Sequence, residues 1–67
     1  MAKKLRELKA ALRRAGFFER AGKGSHTVWS HPELHDVVVL SGHDGDEAKP
    51  YQEKDVYNIM RKLESLR

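Results

Sequence analysis

The sequence contains no cysteine, only two prolines and no long apolar run. Without cysteine the fold has neither a disulfide nor a thiolate-bound zinc, so the packing of helices on a sheet must stabilise it. No stretch has the ~20 apolar residues of a membrane span or the shorter apolar core of a signal peptide. We therefore expect a soluble, cytoplasmic protein that makes no contact with a membrane.

The length of 67 residues predicts a single domain, residues 1–67. A chain this short buries only about 60% of the surface that it exposes when unfolded, so its core is thin. Such a core has no room for a deep catalytic cleft. An active site must therefore be shallow and lie on the surface, which suits a large substrate that supplies contact area of its own.

Charge is unevenly distributed along the chain. The formal net charge is +3, but residues 1–23 carry eight basic side chains against two acidic ones, whereas residues 33–55 carry seven acidic against two basic. A basic segment is typical of a phosphate-binding surface, and it is equally typical of a solvated helix face. Charge alone leaves both interpretations open.

Hydrophobic periodicity predicts the order of the structural elements. Apolar residues at helical spacing predict two helices, about residues 3–15 and 52–66. The runs between them predict three strands, residues 17–21, 25–30 and 37–40. The order α-β-β-β-α predicts an α+β fold in which both helices pack on one face of a three-stranded antiparallel sheet.

A glycine-rich turn, Gly22-Lys23-Gly24, separates the first two predicted strands. It lacks the spacing of a nucleotide-binding P-loop. Its backbone N–H groups are able to bind an RNA phosphate, but the same residues also make an ordinary hairpin turn.

The face of the sheet that carries His26 depends on its neighbours. Strand alternation places His26 with Val28 and opposite Trp29. If Trp29 packs under the helices, His26 lies on the open side; if Val28 does, His26 lies on the covered side. We favour Trp29 as a core residue over a role in stacking on a base.

Four histidines stand out in so short a chain: His26, His31, His35 and His43. Histidine both takes and gives a proton near neutral pH, because its ordinary pKa is about 6.5. His31 and His35 have a spacing that converges on a metal only within a helix, and Pro32 favours a turn there. We therefore expect no metal site and no cofactor. His26 is either catalytic or an ordinary polar residue at the start of a strand.

The segment from Gly22 to Pro32 closely resembles the HicA toxin family, also called YcfA-like mRNA interferases. That family shows a basic residue, Gly-Ser-His, an aliphatic–aromatic pair and then His-Pro, as this segment does. Gly16-Phe17-Phe18 is similar to the Gly-Phe that follows the first helix of the family. Ala48-Lys49-Pro50-Tyr51-Gln52 resembles one branch of it. The likeness covers nearly the whole chain in the right order.

This resemblance implies a double-stranded-RNA-binding-domain-like fold and a type II toxin that blocks translation by cleaving mRNA without a metal. It also implies a HicB-type antitoxin as partner and His26 as the catalytic residue. The loop of residues 41–49 departs from the commoner short and basic form, since it carries Asp44, Asp46 and Glu47. That composition disfavours contact with RNA and leaves contact with the antitoxin as one use.

A mechanism follows as a hypothesis, because RNA carries its own nucleophile, the 2′-hydroxyl. His26 would act as general base or acid, Lys23 and the backbone of Gly24 would hold the phosphate, and Ser25 would orient it. Further phosphates of the RNA would be contacted by three arginines: Arg13, Arg14 and Arg20. The alternatives are a non-catalytic RNA-binding module of the same fold and a domain that binds only protein.

Overall fold

The computed structural model describes residues 3–66. The chain folds as α1 (Leu5–Arg14), β1 (Phe18–Ala21), β2 (Thr27–Ser30), β3 (Val38–Leu40) and α2 (Pro50–Ser65). The strands form an antiparallel sheet of order β1-β2-β3. The predicted α+β fold and its element order are confirmed. No helix in the described part of the chain is long and apolar enough to cross a membrane.

Both helices bury one apolar stripe in the core that they share with the sheet. Trp29 is fully buried there, beside Val38 of the neighbouring strand. The prediction that Trp29 is a core residue is therefore confirmed. At about 25 cal/mol per Å², the ~150–250 Å² that a tryptophan buries contributes roughly 4–6 kcal/mol. The helical residues of this core are Leu5, Leu8, Leu12, Val56, Ile59 and Leu63.

The opposite face of the sheet is not covered by the helices. Alternation from Trp29 and the strand registers place Phe18, Arg20, Val28 and Val39 on this face. Phe18 is 63% exposed and Val39 is 47% exposed. Of the two arrangements that the sequence left open, the one with Trp29 under the helices is observed.

Several element boundaries differ from the sequence prediction. β1 starts one residue later, because Phe17 is buried in the core. β2 starts at Thr27, two residues later, because His26 belongs to the turn and donates its N–H to the C=O of Lys23 at 3.0 Å. α2 starts two residues earlier, at Pro50, whose missing N–H costs nothing in the first turn of a helix.

The loop of residues 41–49 packs against the start of α1. The first N–H groups of a helix have no partner within it. Here the C=O groups of Asp46 and Asp44 accept those of Leu5 and Arg6, at 2.9 and 3.2 Å. The buried Lys9 also pairs with the Asp44 carboxylate at 2.7 Å. This hydrogen bond, together with the ammonium charge, holds the pKa of Asp44 below its usual value.

Gly42 connects this loop to the hairpin turn. Its φ of 113° lies in the left-handed region, and a Cβ at this position would lie 2.8 Å from Cδ1 of Leu5. Its N–H donates to Oγ of Ser25 at 3.2 Å. The loop is thereby joined to α1 on one side and to the turn beside His26 on the other.

Candidate active site

The hairpin turn of residues 22–26 presents backbone donors at the surface. Two hydrogen bonds close it, from the His26 N–H to Lys23 and from the Gly22 N–H to His26. The N–H groups of Lys23, Gly24 and Ser25 have no partner within residues 3–66. Successive N–H groups of this kind form a concavity that binds anions.

Gly24 gives the turn its conformation and keeps it accessible. Its φ of 59° is left-handed, which only glycine adopts without cost and which fits the first central position of a type II′ turn. No atom lies within 4 Å of the place where a Cβ would be. The surface above the three N–H groups is therefore open to a ligand.

His26 follows these donors and is exposed. Its side chain has no hydrogen-bond partner in the described part of the chain, so both ring nitrogens are available to a ligand. His26 borders a groove of about 620 Å³ between the outer edge of β3 and α2, which we call the β3 groove. Its lining consists of His26, Asp36, Val37, Val38, Val39 and Ser41 on the sheet side and Tyr51, Asp55, Asn58, Ile59 and Lys62 on α2.

Carboxylates outnumber cations in the β3 groove. Asp36 is hydrogen-bonded to Lys62, and this contact lowers the pKa of Asp36 below its usual value. Asp55 has no ion-pair partner among residues 3–66. One ammonium against two carboxylates gives the groove a formal charge of −1, with histidine not counted.

The predicted phosphate-binding residues fall into two groups, those of the hairpin turn and the three arginines. Lys23, Gly24 and Ser25 lie together with His26 in the turn. Arg13 instead donates to Glu19 at 2.7 Å and lies 5.2 Å from the centre of the Trp29 ring.

The arginines of α1 are remote from the turn. Arg13 is hydrogen-bonded to Glu19. Glu19 lies four residues before Lys23, which is about 13 Å along an extended strand, so Arg13 is held away from the turn. Arg14 lies next to Arg13 at the end of α1, and Arg20 lies on the open face of β1. Arg14 and Arg20 form no ion pair with the described residues.

His31, the second histidine of the Gly-Ser-His and His-Pro pattern, is structural. It is buried, its Nδ1 accepts the N–H of Glu33 at 3.0 Å, and its ring packs edge-to-face with that of Phe17, 5.1 Å between centroids. It also lies against Gly16, where a Cβ would be 3.3 Å from Nε2 of the ring. Within residues 3–66, no group of three or more histidine, aspartate or glutamate side chains is arranged to hold a metal ion.

Sequence reasoning missed the helical wall of the β3 groove. Tyr51, Asp55, Asn58 and Lys62 recur at steps of four, three and four residues, which places them on one face of α2. All four are exposed. A polar and aromatic stripe of this spacing is the signal in the sequence that would have indicated the groove.

Comparison with known families gives one match. A family model described as the HicA toxin of bacterial toxin–antitoxin systems matches residues 5–64. This span includes α1, the three strands and all of α2 except its last residue. No curated protein and no solved structure matches the chain at a significant level.

Proposed function

The chain belongs to the HicA toxin family of bacterial toxin–antitoxin systems, and from this premise we propose that it is an endoribonuclease with His26 as its catalytic residue. It cleaves mRNA without a metal, so blocks translation, and a HicB-type antitoxin restrains it. The observation that carries the proposal is an exposed imidazole directly after three N–H groups, all of them without a hydrogen-bond partner among residues 3–66.

The chemistry requires only proton transfer and charge stabilisation. One base removes the proton of the 2′-hydroxyl, the 2′-oxygen attacks the adjacent phosphorus, and the bond from phosphorus to the 5′-oxygen breaks. An acid protonates the leaving 5′-oxygen, so the products are a 2′,3′-cyclic phosphate and a 5′-hydroxyl. His26 serves as this base or acid, a contribution of about 10²–10⁴-fold in rate. The nucleophile belongs to the RNA, so no metal-bound water is needed.

The turn supplies the phosphate site in this proposal. The N–H groups of Gly24 and Ser25 and the ammonium of Lys23 stabilise the charge that develops on the phosphate oxygens. The Ser25 hydroxyl accepts the N–H of Gly42, which leaves its own proton to donate to the phosphate and so orient it.

Contacts with the rest of the RNA strand fall to the arginines. Arg14 and Arg20 have no ion-pair partner among residues 3–66, so a phosphate competes with nothing there. Arg13 must first leave Glu19, and we therefore expect it to contribute less. Such contacts raise affinity without sequence choice and weaken as salt increases.

The test is cleavage of a long RNA by the purified protein and by His26→Ala. We expect the variant to lose at least about 10²-fold in cleavage rate. The matched control is His43→Ala, which removes another exposed histidine, outside the turn. The control should cleave like the parent, both variants should unfold at the same urea concentration, and excess chelator should have no effect.

Three outcomes contradict the proposal. Undiminished cleavage by His26→Ala removes His26 as the catalyst, and loss of activity under chelator restores a metal mechanism. Salt-dependent RNA binding by the parent protein without any fragments favours the non-catalytic RNA-binding module instead.

Lys23→Ala, which removes one phosphate contact, should lower the magnitude of the slope of log binding constant against log salt concentration by about one.

A further inference from the structure

β3 is an edge strand with one side unpaired. The sheet order is β1-β2-β3, so within residues 3–66 β3 pairs with β2 only. Edge strands present free N–H and C=O groups that pair readily with another chain. Which residues of β3 present theirs follows from the ladder.

Antiparallel pairs alternate between hydrogen-bonded and non-bonded positions. The Gly22 N–H bonds to the His26 C=O, so this pair is a bonded one. Counting in steps of two, Val28 directs its backbone groups to β1, whereas Trp29 directs its groups to Val38 of β3. Val39 therefore points its N–H and C=O groups away from the sheet and into the β3 groove. Val37 directly precedes β3, and its backbone groups have no hydrogen-bond partner among residues 3–66.

Gln52 closes this edge at one end. Its Nε2 donates to the C=O of Ser41 at 3.0 Å, and Ser41 lies two residues beyond Val39 on the same outward side. Gln52 is 1% exposed, so it is a fixed part of the fold. The edge is thus satisfied at Ser41 and open from Val39 back to Val37.

We propose that the open edge of β3 binds an extended segment of the antitoxin, which adds to the sheet as a fourth strand. Backbone hydrogen bonds to Val39 and Val37 give affinity, as in other cases of strand addition. Apolar side chains of the segment pack on these two valines, each about half exposed, and a lysine or arginine of the segment faces Asp55.

Charge favours an antitoxin segment over two other occupants of the groove, an RNA strand and a second copy of the chain. An RNA strand would place its phosphates against a groove with a formal charge of −1, which is repulsive. A second copy of the chain would bring the carboxylates of two grooves together. A cationic polypeptide segment is attracted to the same surface.

The bound segment would also cover His26, because that residue lines the same groove. This consequence, direct obstruction of RNA cleavage, rests on the proposed function. The binding itself does not, so it is measured without RNA.

The experiment compares Val39→Pro with Val39→Thr in titrations against the purified antitoxin encoded with this toxin. Proline removes the outward N–H and is tolerated on an edge strand, whereas threonine keeps the backbone donor and the β-branched shape. We expect the proline variant to bind about tenfold more weakly or worse, since a C=O of the antitoxin loses its partner. The threonine variant should bind within about threefold of the parent, and Asp55→Lys should weaken binding.

A second measurement covers the case in which the proline variant does not fold. Amide hydrogen exchange of the parent protein should slow at Val37 and Val39 when the antitoxin is added. Unchanged affinity for the folded proline variant, or unchanged exchange at both amides, overturns the proposal. Two other results would also overturn it. If the proline variant loses binding to RNA but not to the antitoxin, the groove binds RNA. If the proline substitution dissociates a dimer of the free protein, the groove binds a second copy of the chain.

Discussion

Gln52 is the buried polar residue on which the end of β3 and the start of α2 both depend, and its replacement gives a quantitative prediction. Its Nε2 donates to the C=O of Ser41 at 3.0 Å, and its Oε1 accepts the N–H of Lys49 at 2.8 Å. Gln52→Leu retains the bulk of the side chain and removes both bonds. The half-buried C=O of Ser41 then loses the partner that it has in the described part of the chain.

The magnitude follows from these two groups. Leaving a buried acceptor unsatisfied costs about 1–3 kcal/mol, and the exposed N–H of Lys49 regains water at a smaller cost. Apolar burial of the leucine offsets part of this loss, so we expect about 2 kcal/mol of destabilisation. A chain of this length has only ~3–10 kcal/mol of stability in total. The melting temperature should accordingly fall by roughly 8–16 °C.

Urea unfolding followed by the fluorescence of Trp29 measures the change, since this is the one tryptophan in the sequence and it is fully buried. With a slope of about 1 kcal/mol per molar urea, the midpoint should fall by about 2 M. Asn58→Leu is the matched control, because it replaces an exposed amide on the same helix. If both variants unfold at the midpoint of the parent, Gln52 does not stabilise the fold as we reason.

Two further predictions concern the loop of residues 41–49. Gly42→Ala should destabilise the fold by about 2–4 kcal/mol, because its left-handed φ and its close approach to α1 both oppose a Cβ, whereas Gly45→Ala, with no atom within 4 Å, should stay within about 0.5 kcal/mol. Equal urea midpoints for the two variants would contradict this. The pKa of Asp44 is lowered in the folded state. Its pairing with Lys9 therefore stabilises the fold fully at any pH above the usual carboxyl pKa. This stabilisation disappears as the pH falls through the lower pKa of the folded state. Lys9→Met should therefore make stability less dependent on pH on the acid side, below about pH 4, and an unchanged acid unfolding curve would show that the pair is not the cause.

The elements of this fold were predictable because each helix and strand buries one side. Leu5, Leu8 and Leu12 repeat at the helical period, and all three are buried as predicted. The strand boundaries were less predictable at the hairpin. Alternation of side chains extends back through His26, but a hydrogen bond within the turn includes His26, so the strand begins one residue later, at Thr27.

The packing of the acidic loop was not predictable from the sequence. Nothing local to Asp44 or Asp46 indicates that their C=O groups meet the start of a helix more than 35 residues away. The composition of the loop indicated exposure and a place for a partner. Residues 43–47 are exposed as that composition indicates, but two of the three acids also have partners within the chain, since Asp44 pairs with the buried Lys9 and Asp46 accepts the N–H of His43. Contact with a partner stays a prediction.

The candidate site also has one part that was predictable from the sequence and one part that was not. His26 and the turn were found because glycine spacing and one histidine form a local pattern. The β3 groove depends on α2 lying beside an edge strand more than ten residues away in sequence, so only the folded chain brings Tyr51 and Asp55 into the lining that includes His26. Whether Lys23 and His26 act together on RNA stays a prediction.

The hydrogen bond between Gly42 and Ser25 links the start of α1 to the hairpin turn that bears His26. Leu5 donates to the loop, the loop positions Gly42, and Gly42 in turn anchors the hairpin that bears His26. A tag or truncation that disturbs the first helical turn would therefore alter the shape of the hairpin without touching it. Any comparison of activities among preparations of this protein should keep its amino terminus constant.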